Sequence, residues 1–133
     1  MPRFMLFIYP NISEETYAEG PSVEDVEAMN RYNEELAKAG ALLALDGLHP
    51  EAARVSASGV TDGPYSEAKE LVGGYWIIQG KDREEAIEWA KRVPQDGDSF
   101  VEVRQIFELS EFSDDLQDAA KLSTGEPPHQ TSA

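Results

Sequence analysis

"TDGPYSEAKELVGGYWIIQG", residues 61–80, puts a turn, a charge cluster, a Gly pair and an apolar run in immediate succession. The apolar run decides the fold. Residues 71–79 read as a strand with the Gly pair near its start, and Gly80 closes it. Behind it, Asp82 and Glu85 hold capping-box-like positions for a helix running to Val93. Ala86, Ile87, Ala90 and Val93 make its inward stripe with Trp89 flanking, and Pro94 and Asp96-Gly97 break the pattern. Residues 100–109 then alternate as a last strand, with Val101, Val103, Gln105 and Phe107 on one face and Glu102, Arg104 and Ile106 on the other.

Upstream the same logic gives the first half. Residues 3–9 are apolar and aromatic over a strand's length, and Pro10-Asn11 stops them. Ser22 caps a helix over 23–39, in which Val23, Val26, Met29, Leu36 and Ala37 recur at threes and fours, and Gly40 serves as its left-handed terminator. Residues 41–48 are a second strand ending at Asp46-Gly47, and residues 53–58 a short exposed one before Gly59. The order β-α-β-(hairpin)-β-α-β predicts an α+β fold, a ferredoxin-like βαββαβ protomer with an extra hairpin, whose two helices cover one face of an antiparallel sheet. The other face stays bare and apolar, carrying either Phe4, Leu6 and Ile8 or Met5, Phe7 and Tyr9, with Trp76 or Tyr75. Such a face calls for a second sheet, so the expectation is a symmetric homodimer closing an α+β barrel, with clefts where the sheets meet.

Composition narrows the partners. A chain of 133 residues is one domain's length, and 41% hydrophobic residues beside 28% charged ones supply a modest core. Eleven basic against 26 acidic residues give a net charge of -15, which phosphate backbones and anionic lipid both repel, so neither nucleic acid nor membrane is an expected partner. Without cysteine there is no disulfide, thiolate metal site or thiol nucleophile, a pattern that suits a reducing cytoplasm, where the protein is expected. The apolar run from Phe4 to Tyr9 is too short for a signal-peptide core or a membrane span. The domain is expected over 1–109, followed by an acidic tail over 110–133. From Glu108 on, six acidic residues stand against Lys121 alone. "SEFSDDLQDAAKL" has a helical stripe of Phe112, Leu116 and Ala119, whereas "STGEPPHQTSA" has the composition of a disordered end. That helix has two open readings, docking on a partner subunit or a solubilising tail.

In the opening stretch, Asp62-Gly63-Pro64 specifies a tight turn, and Glu67, Lys69 and Glu70 put more charge there than a connector needs. Gly73-Gly74 permits close approach of a backbone or ligand, or simply makes a bulge. This stretch resembles the signature of DGPF-domain proteins, a branch of the YCII-related superfamily, in which an Asp-Gly-Pro-aromatic turn precedes Glu-x-Lys-Glu and a Gly-Gly-aromatic strand. Tyr65 stands where that family often has Phe. The resemblance extends over most of residues 3–107, through "FMLFIYP", "LLALDGLHP" and "SFVEVR". It implies a dimeric α+β barrel. Related YCII-type proteins include an enzyme that eliminates chloride from a muconate-like compound with a His-Asp pair, and others occur beside, or fused to, sigma-factor-like regulators.

The residues offer two classes of function. Acid-base catalysis needs a proton carrier within hydrogen-bond reach of a substrate. His129 lies in the tail, so His49, before Pro50, is the available imidazole, with Asp62 or Asp46 to orient it. Asp62 is itself a catalytic candidate, with Lys69 stabilising a substrate carboxylate or enolate-like intermediate, and Glu67 stands in the same cluster. Tyr9 and Arg104 are candidates for a hydrogen bond and an anion clamp. Each has a plainer role open to it: turn residue for His49, turn cap for Asp62, packing for Tyr9, ion pairing with Glu102 or Glu67 for Arg104. No metal or nucleotide cofactor is expected, because the carboxylates have no ligand spacing and the glycines form no phosphate loop. The expected substrate is a small organic acid or lactone. In the competing class the same cavity serves a non-enzymatic ligand-binding or regulatory module.

Overall fold

Alternation along residues 3–9 yields two apolar sets, and each goes to its own face of a sheet. The computed structural model describes residues 1–63 and 70–122. Along the chain the elements are β1 (Arg3–Tyr9), α1 (Glu14–Glu19), α2 (Val23–Lys38), β2 (Leu42–Gly47), β3 (Ala53–Ser56), β4 (Gly59–Asp62), β5 (Gly74–Gln79), α3 (Arg83–Lys91), β6 (Phe100–Gln105) and α4 (Asp114–Ala120). The main sheet is antiparallel in the order β2-β5-β1-β6, and β3-β4 forms a separate hairpin. This is a ferredoxin-like α+β fold, as the element order predicts.

The register fixes the faces. Leu6 pairs with Trp76 and Val103, and Phe4 with Ile78, so these side chains share one face. Leu6, Ile78 and Leu36 are fully buried, and Phe4, Trp76, Tyr32, Ala86, Ala90 and Val93 complete the core beneath α2 and α3. Met5, Phe7 and Tyr9 face the other way with Tyr75 and Ile77, and this is the set on the face turned away from α2 and α3.

Helix ends follow their side chains. Ser22 Oγ accepts from the Asp25 N–H (3.0 Å) while Asp25 Oδ2 accepts from the Ser22 N–H (3.3 Å), and Gly40 closes the helix at a φ of 72°. Asp82 Oδ1 caps α3 through the Glu85 N–H (2.9 Å), but Glu85 reaches back to Lys81 rather than to the cap (3.3 Å). The inner stripe of α2 differs from the expected one. Val23 and Val26 are exposed, and the buried residues are Tyr32 and Leu36. Tyr32 wins because its ring meets Trp76 edge-on (5.5 Å) while its hydroxyl donates to the Trp89 carbonyl (2.8 Å), so a polar-tipped ring fits where its tip finds an acceptor.

One helix and two strand boundaries also differ. Ser13 caps the unexpected helix α1 through the Thr16 N–H (3.2 Å). β5 begins at Gly74 because Leu71 and Val72 turn aside to line a cleft. β6 ends at Gln105, its pairing exhausted where β1 begins: the Ile106 N–H still reaches the Arg3 carbonyl (2.8 Å), and Arg3 then grips Glu108 through Nε–Oε1 (2.7 Å) and a second nitrogen on Oε2 (3.0 Å). The expected tail helix is present as α4, capped by Ser113, whereas the segment expected to be disordered lies, from residue 123, outside the described residues. Among the described residues no helix is long and apolar enough to cross a membrane.

Burial holds the Tyr32 phenol well above its ordinary value of 10.0. The unfolded chain ionises first as pH rises, so this group's stabilisation is intact below about pH 10 and is lost above it. Tyr32→Phe should therefore flatten the alkaline decline in stability and cost about 1 kcal/mol at neutral pH through the lost Trp89 contact. Urea unfolding followed from pH 7 to pH 11 checks both, and an unchanged alkaline slope would contradict the assignment.

Candidate functional site

The ends of β1, β2 and β5 converge where the two glycines of the opening stretch sit. The Gly73 N–H donates to the Ile8 carbonyl (2.8 Å), and the Gly73 carbonyl accepts from the Leu48 N–H (2.9 Å). Close packing makes both glycines obligatory here. A Cβ on Gly73 would lie 2.7 Å from Pro10 Cγ, and one on Gly74 would lie 2.9 Å from the Asp46 carbonyl oxygen. The Leu48 carbonyl accepts from the Tyr17 hydroxyl (3.0 Å), whose phenol burial pushes up and so keeps as a donor. Leu48 is thus held from both sides, which fixes the backbone that carries His49.

His49 faces a cleft of about 430 Å³. Leu48, Leu71 and Val72 give it apolar walls, and Glu51, Arg54 and Glu70 join His49 as its ionisable groups. Arg54 comes from β3 and pairs with Glu70 Oε2 at 3.2 Å, with both side chains about half exposed. The hairpin carrying Arg54 is tied at its base by the Gly63 N–H to the Ala52 carbonyl (2.6 Å). An imidazole, a guanidinium and carboxylates around apolar walls can anchor a small anion and move a proton beside it.

The other sequence candidates lie elsewhere. Asp62 ends β4, is exposed and pairs across the hairpin with Ala53, and among the described residues its carboxylate has no hydrogen-bond partner. It does not line the His49 cleft. Asp46, the alternative partner for His49, accepts instead from the Tyr75 hydroxyl (3.2 Å). Tyr9 stacks on Phe100 with ring centroids 4.7 Å apart on the face turned away from α2 and α3. Arg104 lies on that same face opposite Met5, and it forms no ion pair among the described residues. Glu67 and Lys69 lie outside the described residues. Sequence reasoning missed Arg54 and Glu51, whose signal was weak: single charges in and before a short polar strand. Among the described residues no three metal-binding side chains gather.

Residues 3–110 match the model of the YCII-related domain, and the chain belongs to that family. Among curated proteins there is no match.

The two glycines flanking this convergence should respond differently to a methyl group. Gly74→Ala should lose about 1–3 kcal/mol, because a Cβ there drives into backbone, whereas Gly47→Ala, whose nearest neighbour would be the Gly73 carbonyl oxygen at 3.9 Å, should stay within about 0.5 kcal/mol. Thermal and urea melts of the pair decide it, and equal losses would contradict the geometry.

Proposed function

We propose, from the premise of YCII-related membership, that the protein is a homodimeric α+β barrel, active in the cytoplasm, which binds a small organic acid or lactone in the His49 cleft and transfers a proton there. The observation that carries the reading is the meeting of His49, Arg54 and Glu70 around one apolar-walled opening. Arg54 is the anion clamp. A substrate carboxylate exchanges for Glu70 on the guanidinium, which costs little because the existing pair is half exposed. His49 then takes a proton from the carbon beside the bound carboxylate, or gives one to a leaving oxygen, as an isomerase or lyase requires. The freed Glu70 carboxylate stays beside the site and stabilises the imidazolium that forms.

The dimer rests on the sheet face turned away from α2 and α3. Met5, Phe7, Tyr9, Tyr75 and Ile77 lie there with Glu102 and Arg104 of β6 beside them, and a second copy placed face to face would bury the apolar set in an isologous interface. One observation favours a second reading, a binding module without turnover: among the described residues no carboxylate hydrogen-bonds His49 to orient it.

A thermal-shift series of small carboxylates, phenols and lactones tests the site. At least one carboxylate or lactone should raise the melting temperature, and Arg54→Gln should weaken its binding by about 10-fold or more. His49→Asn should retain binding and lose about 100-fold or more in turnover of the stabilising compound, while Asp62→Asn behaves as wild type. Binding without conversion in the wild type supports the module, and no stabilisation by any member refutes both readings. Sedimentation equilibrium tests the assembly. Wild type should run as a dimer and Phe7→Glu as a folded monomer, and a monomeric wild type would contradict the barrel.

A further inference from the structure

The register stacks the helix-covered face into three rows across the sheet. Phe4, Ile78 and Leu42 make one, and Leu6, Trp76 and Leu45 the next. The third row pairs Ile8 with Gly74 and Gly74 with Gly47, so β5 and β2 bring no side chain to it. A cavity of about 160 Å³ occupies the space, with Met29 and Asn33 of α2 over it and Leu45 and Trp76 at its side. Gly74 is forced by the approach of the Asp46 carbonyl, but Gly47 is not: a Cβ there would meet only the Gly73 oxygen at 3.9 Å, and its backbone is not left-handed. Packing therefore has no need of this void.

Its chemistry is selective. The Asn33 Oδ1 accepts from Trp76 Nε1 (2.8 Å), while Asn33 Nδ2 has no acceptor among the described residues. No Lys, Arg or His lines the cavity, and Asp46 and Tyr75 at its edge have their polar tips bonded to each other (3.2 Å). The opening is walled mostly by apolar groups, and a space of about 150 Å³ with apolar walls accepts a benzene-sized ring. Met29 and Trp76 supply the thioether and aromatic contacts that such a ring prefers. We propose that the void beside Gly47 is a binding site, distinct from the His49 cleft, for a small neutral aromatic ring bearing a carbonyl acceptor, which Asn33 Nδ2 bonds.

Benzamide, benzoate and toluene added to isotope-labelled protein test this by NMR. Benzamide should shift the Met29 methyl and Trp76 indole signals saturably and give ring-to-Met29 NOEs, and benzoate should bind more weakly. Gly47→Val, which fills the void, should weaken benzamide binding at least about 10-fold. Asn33→Asp keeps the acceptor for Trp76 and removes the donor, so it should weaken benzamide by roughly fivefold and leave toluene unchanged. No saturable shift at Met29 and Trp76, or a folded Gly47→Val that binds as wild type does, overturns the site. Equal binding of benzoate and benzamide, or an unchanged preference for benzamide over toluene in Asn33→Asp, overturns the ligand class. Should Gly47→Val not fold, the wild-type NOEs decide: contacts from the ring to Met29 uphold the site and their absence overturns it.

Discussion

β1 contributes to both faces of the sheet and is hydrogen-bonded on both edges, and the rest of the molecule is arranged around that fact. Its even-numbered residues, Phe4, Leu6 and Ile8, face the helices, and its odd-numbered ones, Met5, Phe7 and Tyr9, face away. A shift of one residue in its pairing with β5 would exchange the two sets, moving Leu6 out of the core and placing Phe7 under α2. The tilt of the balance is visible in what each set meets. Leu6 lies in the apolar core with Trp76 and Val103 in its row, whereas the other face has Glu102 and Arg104 beside it and needs no such closure within one chain.

The same strand positions the end of the sheet that carries His49. Ile8 holds Gly73 by a backbone hydrogen bond, Gly73 holds Leu48, and Tyr17 locks Leu48 from the far side. His49 is therefore carried at the end of a relay that begins in the core, while Arg54 and Glu70 approach it from the hairpin and from the segment before β5. A rigid backbone under one group and a half-exposed ion pair beside it suits a site that exchanges one carboxylate for another. The acidity of the whole chain adds a constraint: with a net charge of -15, an anionic ligand must be drawn by a local guanidinium rather than by the protein's general field.

Much of the fold was legible because it rests on local patterns. A continuous apolar run stopped by Pro10-Asn11 marked β1, period-two alternation marked β6, Ser22 and Gly40 marked the ends of α2, and Asp82 marked the start of α3. What stayed hidden depends on distant partners. Tyr32 belongs in the core only because Trp89, 57 residues away, offers a carbonyl, so a stripe read from Val23 and Val26 looked equally good. The early end of β6 follows from where β1 starts and from the grip of Arg3 on Glu108. At the site, His49 could be singled out by elimination, yet the pairing of Arg54 with Glu70 needs the hairpin folded back, and no spacing in the sequence encodes it. Gly73 and Gly74 were legible as a place of close approach, and the approaching groups proved to be Pro10 and the Asp46 carbonyl.

On our proposal the His49 cleft is where this protein meets a small anion. An amide-resolved NMR map during titration with crotonate tests it most directly, because it reads every described element at once. Saturable shifts should centre on His49, Arg54, Leu71 and Val72, with β6 and α4 still. Shifts that never saturate, or that centre on another part of the molecule, would contradict it.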